Sequence, residues 1–191
     1  MSSASETQVH LLRPHLRGLP EARLPAGYGL RHFRAGDEEL WERIVTQSFE
    51  RPPDSMPFEK IMKSDPAFRP ERILLVTHAG EAIATASAYT RPSMRPNAGQ
   101  LHYVAVLHAH RGKRLGYWAS LSALHQMVAE GFSSAWTATD NFRLPAIHIY
   151  MNLGFEPWIT DPKHEQRWRD VLARLDRPMP DAFARSADDT P

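Results

Sequence analysis

The stretch Leu101 to Gly131, LHYVAVLHAHRGKRLGYWASLSALHQMVAEG, constrains the fold more than any other part of the chain. It opens on an apolar, β-branched run at Val104 and Val106 that reads as a strand. A basic turn follows, His110-Arg111-Gly112-Lys113-Arg114-Leu115-Gly116, and then a segment in which Tyr117, Leu121, Leu124 and Val128 share one helical face. Gly131 closes that helix where a left-handed residue is needed. A strand that feeds such a turn leaves the first N–H groups of the helix without intrahelical partners, with the positive end of the dipole behind them. That is an anion site. Arg111, Lys113 and Arg114 add charge at the same mouth, and Arg holds phosphate oxygens bidentately, so the expected ligand carries a phosphate or pyrophosphate.

What the turn lacks narrows the choice. There is no G-x-x-x-x-G-K-[ST] and no G-x-G-x-x-G, which disfavours P-loop hydrolysis and a dinucleotide Rossmann site. The run Arg111-Gly112-Lys113-Arg114-Leu115-Gly116, after the strand end Val104-Ala105-Val106, resembles motif A of the GNAT superfamily of acyl-CoA-dependent N-acetyltransferases, [QR]-x-x-G-x-[GA]. Arg114 stands where the motif has its central Gly. A second match lies downstream. Ala146-Ile147-His148-Ile149-Tyr150-Met151-Asn152-Leu153-Gly154-Phe155 is similar to that family's motif B, A-x-x-x-Y-x-x-x-G-F, with Pro145 suited to a first helical turn.

The resemblance implies acetyl-CoA as co-substrate. It implies that the end of the central strand splays from its neighbour, so that Val104, Ala105 and Val106 contact pantetheine and the acetyl oxygen through main chain, with Arg111 to Gly116 around the pyrophosphate. It makes Tyr150 the general acid for the leaving thiolate. An Asn seven residues before that Tyr touches the pantetheine arm in many members; here Arg143 holds the place and Asn141 stands two residues earlier, and both are carried as candidates. The base has a reading from the residues: His102 lies on the central strand, where Gln100, His102, Val104 and Val106 fall on one pleat face, and imidazole can take an ammonium proton directly or through water. His108 and His110 form an H-x-H pair with no Cys or carboxylate beside it, which is a poor metal site, and no metal is assigned.

A chain of 191 residues with 42% hydrophobic content is long enough for one domain with its own core. A formal net charge of +1 argues against a general nucleic-acid binder. With no cysteine, disulfides, thiolate nucleophiles and an acyl-cysteine intermediate are excluded. No signal peptide or membrane-spanning run is legible, so a cytoplasmic protein without a membrane partner is expected.

Residues 1–26, broken by Pro14, Pro20 and Pro25, read as an irregular N-terminal arm whose Leu11, Leu12, Leu16 and Leu19 could pack on the domain or on a second copy, which makes a homodimer conceivable. The GNAT-like domain is expected over 27–175. A first strand near Tyr28, a helix over DEELWERIVTQSF, a shorter helix between Pro57 and Phe68, and a hairpin of Ile73–Thr77 with Ala82–Thr90 lead to the central unit. Ala84, Ala86 and Ala88 alternate, so one face can sit close beneath a helix. Strands at Ser134–Thr139 and Phe155–Ile159 and a helix bearing Trp168 and Leu172 follow, and 176–191 reads as a disordered tail. The fold class is α+β: a mixed, mostly antiparallel sheet with helices on both faces, as in the GNAT family. The acceptor, a small-molecule or peptide amine, is not readable; Arg51, Asp54, Met56 and Phe58 sit where the family's acceptor opening is overhung. The alternative to an enzyme is a non-catalytic acyl-CoA-binding module of the same fold.

Overall fold

The computed structural model describes residues 7–185. A single eight-stranded sheet runs in the order β2-β3-β4-β5-β6-β1-β7-β8, with β1 Gln8–Arg13, β2 Tyr28–His32, β3 Ile73–His78, β4 Glu81–Thr90, β5 Ala98–Val106, β6 Ser134–Asp140, β7 Glu156–Ile159 and β8 Ala184–Arg185. Neighbours are antiparallel except β5 with β6 and β7 with β8. The expected mixed, mostly antiparallel architecture is therefore the one observed.

Helix α1 (Glu38–Ser48) lies on one face, with Trp41, Ile44 and Val45 packed on Phe58, Met62, Leu75 and Tyr89. Glu38 and Glu39 place negative charge at its positive end. The Asp37 carboxylate holds the entry by accepting from the Arg31 guanidinium at 2.5 and 2.8 Å and from the Arg34 N–H at 2.7 Å. The opposite face carries α2 (Leu115–Ala129), α3 (Leu144–Asn152) and α4 (Lys163–Arg174) over the larger core, in which Leu121, Leu124 and Met127 meet Ala84, Ala86 and Ala88. The alternating alanines do sit beneath a helix. Gly99 has the same use at the start of β5, since a Cβ there would stand 2.5 Å from Met127 Sδ.

Three expectations are corrected. The arm is not irregular throughout: Gln8–Arg13 forms an interior strand between β6 and β7, buried on both faces. A strand covered on both sides shows no polar alternation, and its prolines all come after it. Leu11, Leu12 and Leu16 are buried in this chain's own core, the first of the two placements expected for them. Between Pro57 and Phe68 there is only a π-helical turn at Glu59–Lys63, ended by Ser64, Asp65 and Pro66. In the tail, Ala184–Arg185 pairs with Trp158 and Ile159. Residues 1–6 of the arm and 186–191 of the tail lie outside the described residues.

Candidate active site

The centre of the sheet opens where two parallel strands part. Strands β5 and β6 pair only from Ala98 with Ser134 to Gln100 with Trp136, and the Thr137 hydroxyl then donates to the Leu101 carbonyl at 2.8 Å. Beyond that point β5 continues to Val106 and stays paired with β4, while its edge toward β6 has no partner strand. Val104, Ala105 and Val106 lie on this freed edge.

The basic turn leaves the end of β5 through a 3-10 turn, His108–His110, and enters α2 with Gly112 at φ +79° and Arg114 at φ +57°. Trp118 N–H is the first of the helix to bond, to the Arg114 carbonyl at 3.1 Å. The consecutive N–H groups from Gly112 to Tyr117 find no hydrogen-bond acceptor among the described residues. They form a concave row of donors at the positive end of a 15-residue helix. Gly116 packs within reach of Val106 and Ile149, where a Cβ would meet them at 3.7 and 3.4 Å, and so sets the turn against β5 and α3.

The charged side chains are less concentrated on this mouth than their sequence positions suggest. Arg111 donates to the Ser48 carbonyl at the end of α1, 3.2 Å away, and Lys113 reaches the Ala109 carbonyl at 3.4 Å. The Arg114 guanidinium stacks over Tyr117 and Trp118, 4.9 and 5.6 Å from the ring centroids, and leaves its N–H in the row. His110 bonds the Tyr28 hydroxyl at 3.1 Å, and burial lowers its pKa.

On the α1 side of the gap, the register of β5 shifts. Thr85 faces Ala105 and Ser87 faces His102, so Tyr103 and Val104 together oppose Ala86 alone, and Tyr103 takes φ +44°. This bulge overturns the expected pleat. Val104 and Val106 pack in the α2 core, whereas both His102 and Tyr103 turn to the α1 side, 4.1 Å between ring centroids. Tyr103 meets Trp41 edge to face at 5.0 Å, and His102 lies 5.6 Å from Tyr89. Burial, aided by Arg91 and opposed by Asp65, lowers the His102 pKa to about 4, so the ring is a neutral acceptor at pH 7. Tyr150 is 5% exposed on α3, and burial raises its pKa above the ordinary tyrosine value while Arg143 opposes that shift. It keeps its proton throughout the working range.

With that geometry established, the comparisons decide the family. The sequence model of the Acetyltransferase (GNAT) family matches residues 38–155. The chain belongs to the GNAT acetyltransferase family. It is similar to a mycothiol acetyltransferase of Pseudarthrobacter chlorophenolicus, 29% identical over 75% of this chain and 47% of the relative, and to one of Thermomonospora curvata, 26% identical over 77% and 50%. It thus spans about half the length of the curated relatives it matches. Among solved structures, a GCN5-related N-acetyltransferase from Sphaerobacter thermophilus shares the fold with a TM-score of 0.66 at 21% identity, over 78% of this chain and 48% of that one. One from Kribbella flavida gives 0.52 at 26% identity, over 79% and 54%.

In this GNAT chain, Arg143, one of the two residues carried for the pantetheine contact, has its side chain engaged within the protein. Arg143 pairs with Asp140 at 3.1 Å and stacks over Phe49 at 4.7 Å, bridging β6 to the end of α1. The Asn141 N–H is tied to the Thr7 carbonyl at 2.8 Å. Of the residues placed over the acceptor opening, Phe58 is a core side chain and Arg51 and Asp54 are exposed. Two contributors were not legible. Arg13, at the end of the unforeseen β1, donates to the Leu153 carbonyl and so fastens the C-terminal end of the helix that carries Tyr150. Tyr103 makes the bulge with no glycine to announce it. Among the described residues no group of three or more His, Asp or Glu could hold a metal ion, and no helix is long and apolar enough to cross a membrane.

Proposed function

We propose that this chain transfers an acetyl group from acetyl-CoA to a primary amine by direct attack within a ternary complex. The observation that carries the proposal is the placing of a free backbone edge, Val104 to Val106, directly before an unpartnered N–H row, Gly112 to Tyr117. The row suits a diphosphate and the edge suits an amide-bearing arm, which together describe coenzyme A. Family membership supports the same ligand. The gap admits the thioester from the α2 side and the amine from the α1 side, so alignment itself supplies much of the rate.

Each residue then has one task. A main-chain N–H of the freed edge receives the carbonyl oxygen as negative charge develops on it. Neutral His102 accepts a hydrogen bond from the entering amine, and the proton released as the C–N bond forms leaves through it to water. Tyr150 gives its proton to sulfur as the C–S bond breaks, and solvent restores it. With no cysteine in the chain, an acyl-cysteine is not an available route.

Calorimetry with coenzyme A and thiol release with acetyl-CoA over a panel of primary amines test the reading together. Heat on binding with turnover on at least one amine is expected; no heat would end it, and heat without turnover on any amine would leave the binding module instead. The curated relatives' name makes an amine of the mycothiol kind the first acceptor to assay.

A further inference from the structure

On the α1 side of the sheet, past the gap, lies a cluster that the proposed chemistry does not use. Trp136 of β6 and Trp158 of β7 stand 6.2 Å apart, 3% and 1% exposed, over Leu12 and Ala98. Helix α1, the helix of this face, makes most of its sheet contacts on β4 and β5. The cluster is instead approached by the connection between β4 and β5, residues 91–97. All of that connection is exposed except Arg95, whose guanidinium lies 5.9 Å over the Trp158 ring.

Both indole N–H groups are buried without a hydrogen-bond partner among the described residues. So is Oε1 of Gln100, which is 5% exposed and faces Trp136 in the β5–β6 ladder. Leaving such groups unpaired is costly, because each has given up its water without a replacement partner. An indole N–H only donates, a guanidinium only donates, and the Gln100 amide can turn its NH2 to the same space. Among the described residues the cluster thus has more donors than acceptors and one full positive charge, with Gln100 Oε1 as its one buried unpaired acceptor. His10, 6.1 Å from both indole rings, is held neutral by burial and does not supply a negative one.

We infer that Trp136, Trp158 and Arg95 form a carboxylate subsite for the acceptor, so that the substrate is a primary amine carrying a carboxylate at a distance. Residues 91–97 are its flap, and Arg95 is the hinge contact that the acid would draw off the Trp158 ring. The spacing sets the substrate's length. His102 is two residues beyond Gln100 on β5, and Trp136 is one strand across, so the Cα atoms of His102 and Trp136 stand about 8 Å apart by the ordinary rise and strand spacing, and we take that as the span from reacting nitrogen to carboxylate. An α-amino acid is too short to join the two through its α-amine; a chain of five or six carbons between nitrogen and carboxylate reaches.

This inference rests on the proposed acetyl transfer for the role of the amine, but it has a readout that does not need turnover. The five tryptophans give five indole N–H signals in a proton–nitrogen correlation spectrum, and Trp136→Phe and Trp158→Phe identify two of them. Titration with 6-aminohexanoate is expected to move those two signals downfield, while hexylamine leaves them in place. In thiol release, 6-aminohexanoate is expected to exceed hexylamine and 1,6-diaminohexane by about tenfold in kcat/KM, and Arg95→Gln should remove the advantage. Unmoved indole signals, or turnover that ignores the carboxylate, would overturn the subsite. Moved indole signals with no turnover on any amine would keep the subsite and end the acetyl-transfer reading instead.

Discussion

The two sides of the gap between β5 and β6 are made of different material. On the α2 side the groups proposed to face the ligand are, apart from the Tyr150 phenol of α3, backbone: the freed edge of Val104 to Val106 and the N–H row from Gly112 to Tyr117, with Arg111 and Arg114 turned onto Ser48 and two aromatic rings. On the α1 side they are side chains: His102 and Tyr103 brought together by a bulge, and Trp136 and Trp158 brought together by the ladder. A backbone site tolerates changes of side chain and fails when a dihedral angle is changed. A side-chain site does the reverse. The largest effects of single substitutions should therefore come from the residues whose side chains move protons, and the smallest from the charged residues of the turn.

Tyr150→Phe should have the largest effect, lowering kcat by about 10²- to 10⁴-fold if the phenol supplies the sulfur's proton. Phe keeps the ring against Phe155, 6.0 Å away, so coenzyme A binding measured by calorimetry should be unchanged. A rate equal to that of the parent protein would make Tyr150 a core residue, and the α2 side would then act through its backbone alone.

His102→Gln should come next, with kcat lower by about 10²-fold. Its second readout is stability against pH. The unfolded chain takes a proton on this histidine near pH 6.5, whereas the folded chain refuses it until about 4. Stability is therefore lost as pH falls through that window, by up to about 3 kcal/mol from this residue. His10, also lowered to about 4 by burial, adds a like slope. Urea denaturation of His102→Gln should depend less on pH between 6.5 and 4 than that of the parent. An equal dependence would mean that the ring is not buried as described.

The same contrast explains what was legible beforehand. Motif A could be read because a left-handed glycine, a helix start and a β-branched run are local signals, each written within a few residues of the group it positions. The bulge could not, because Tyr103 adopts φ +44° under the packing of Trp41 and Phe49, which arrive from α1. Reading β5 as an unbroken pleat put His102 beside Val104, one face wrong. Nor could β1 be read, since a short strand buried on both faces looks like any apolar run, and with it went the partner of Leu153 and one wall of the tryptophan cluster.

On the backbone side, Gly112→Val should raise the KM for acetyl-CoA by about tenfold and leave kcat at saturation unaltered, because a β-branched residue at φ +79° is strained by about 1–2 kcal/mol and moves the N–H row. There is open space around this glycine, so the effect comes from conformation and not from a clash. An unchanged KM would mean that the row does not hold the cofactor.

Arg114→Gly should have the smallest effect and puts the contrast to its strictest test. The substitution deletes a full positive charge at the proposed phosphate mouth, restores the glycine of the family motif, and keeps the N–H. The guanidinium lies over Tyr117 and Trp118, an arrangement worth about 0.5–1 kcal/mol, and relief of the left-handed strain at φ +57° returns a similar amount. The melting temperature should therefore barely move. Coenzyme A affinity by calorimetry should stay within about threefold of the parent at physiological salt, where exposed charges are screened. A loss above about tenfold would mean that the guanidinium leaves its rings for a phosphate when the ligand arrives. The cofactor side would then be built of side chains as well, and the division between backbone and side-chain recognition across the gap would not hold.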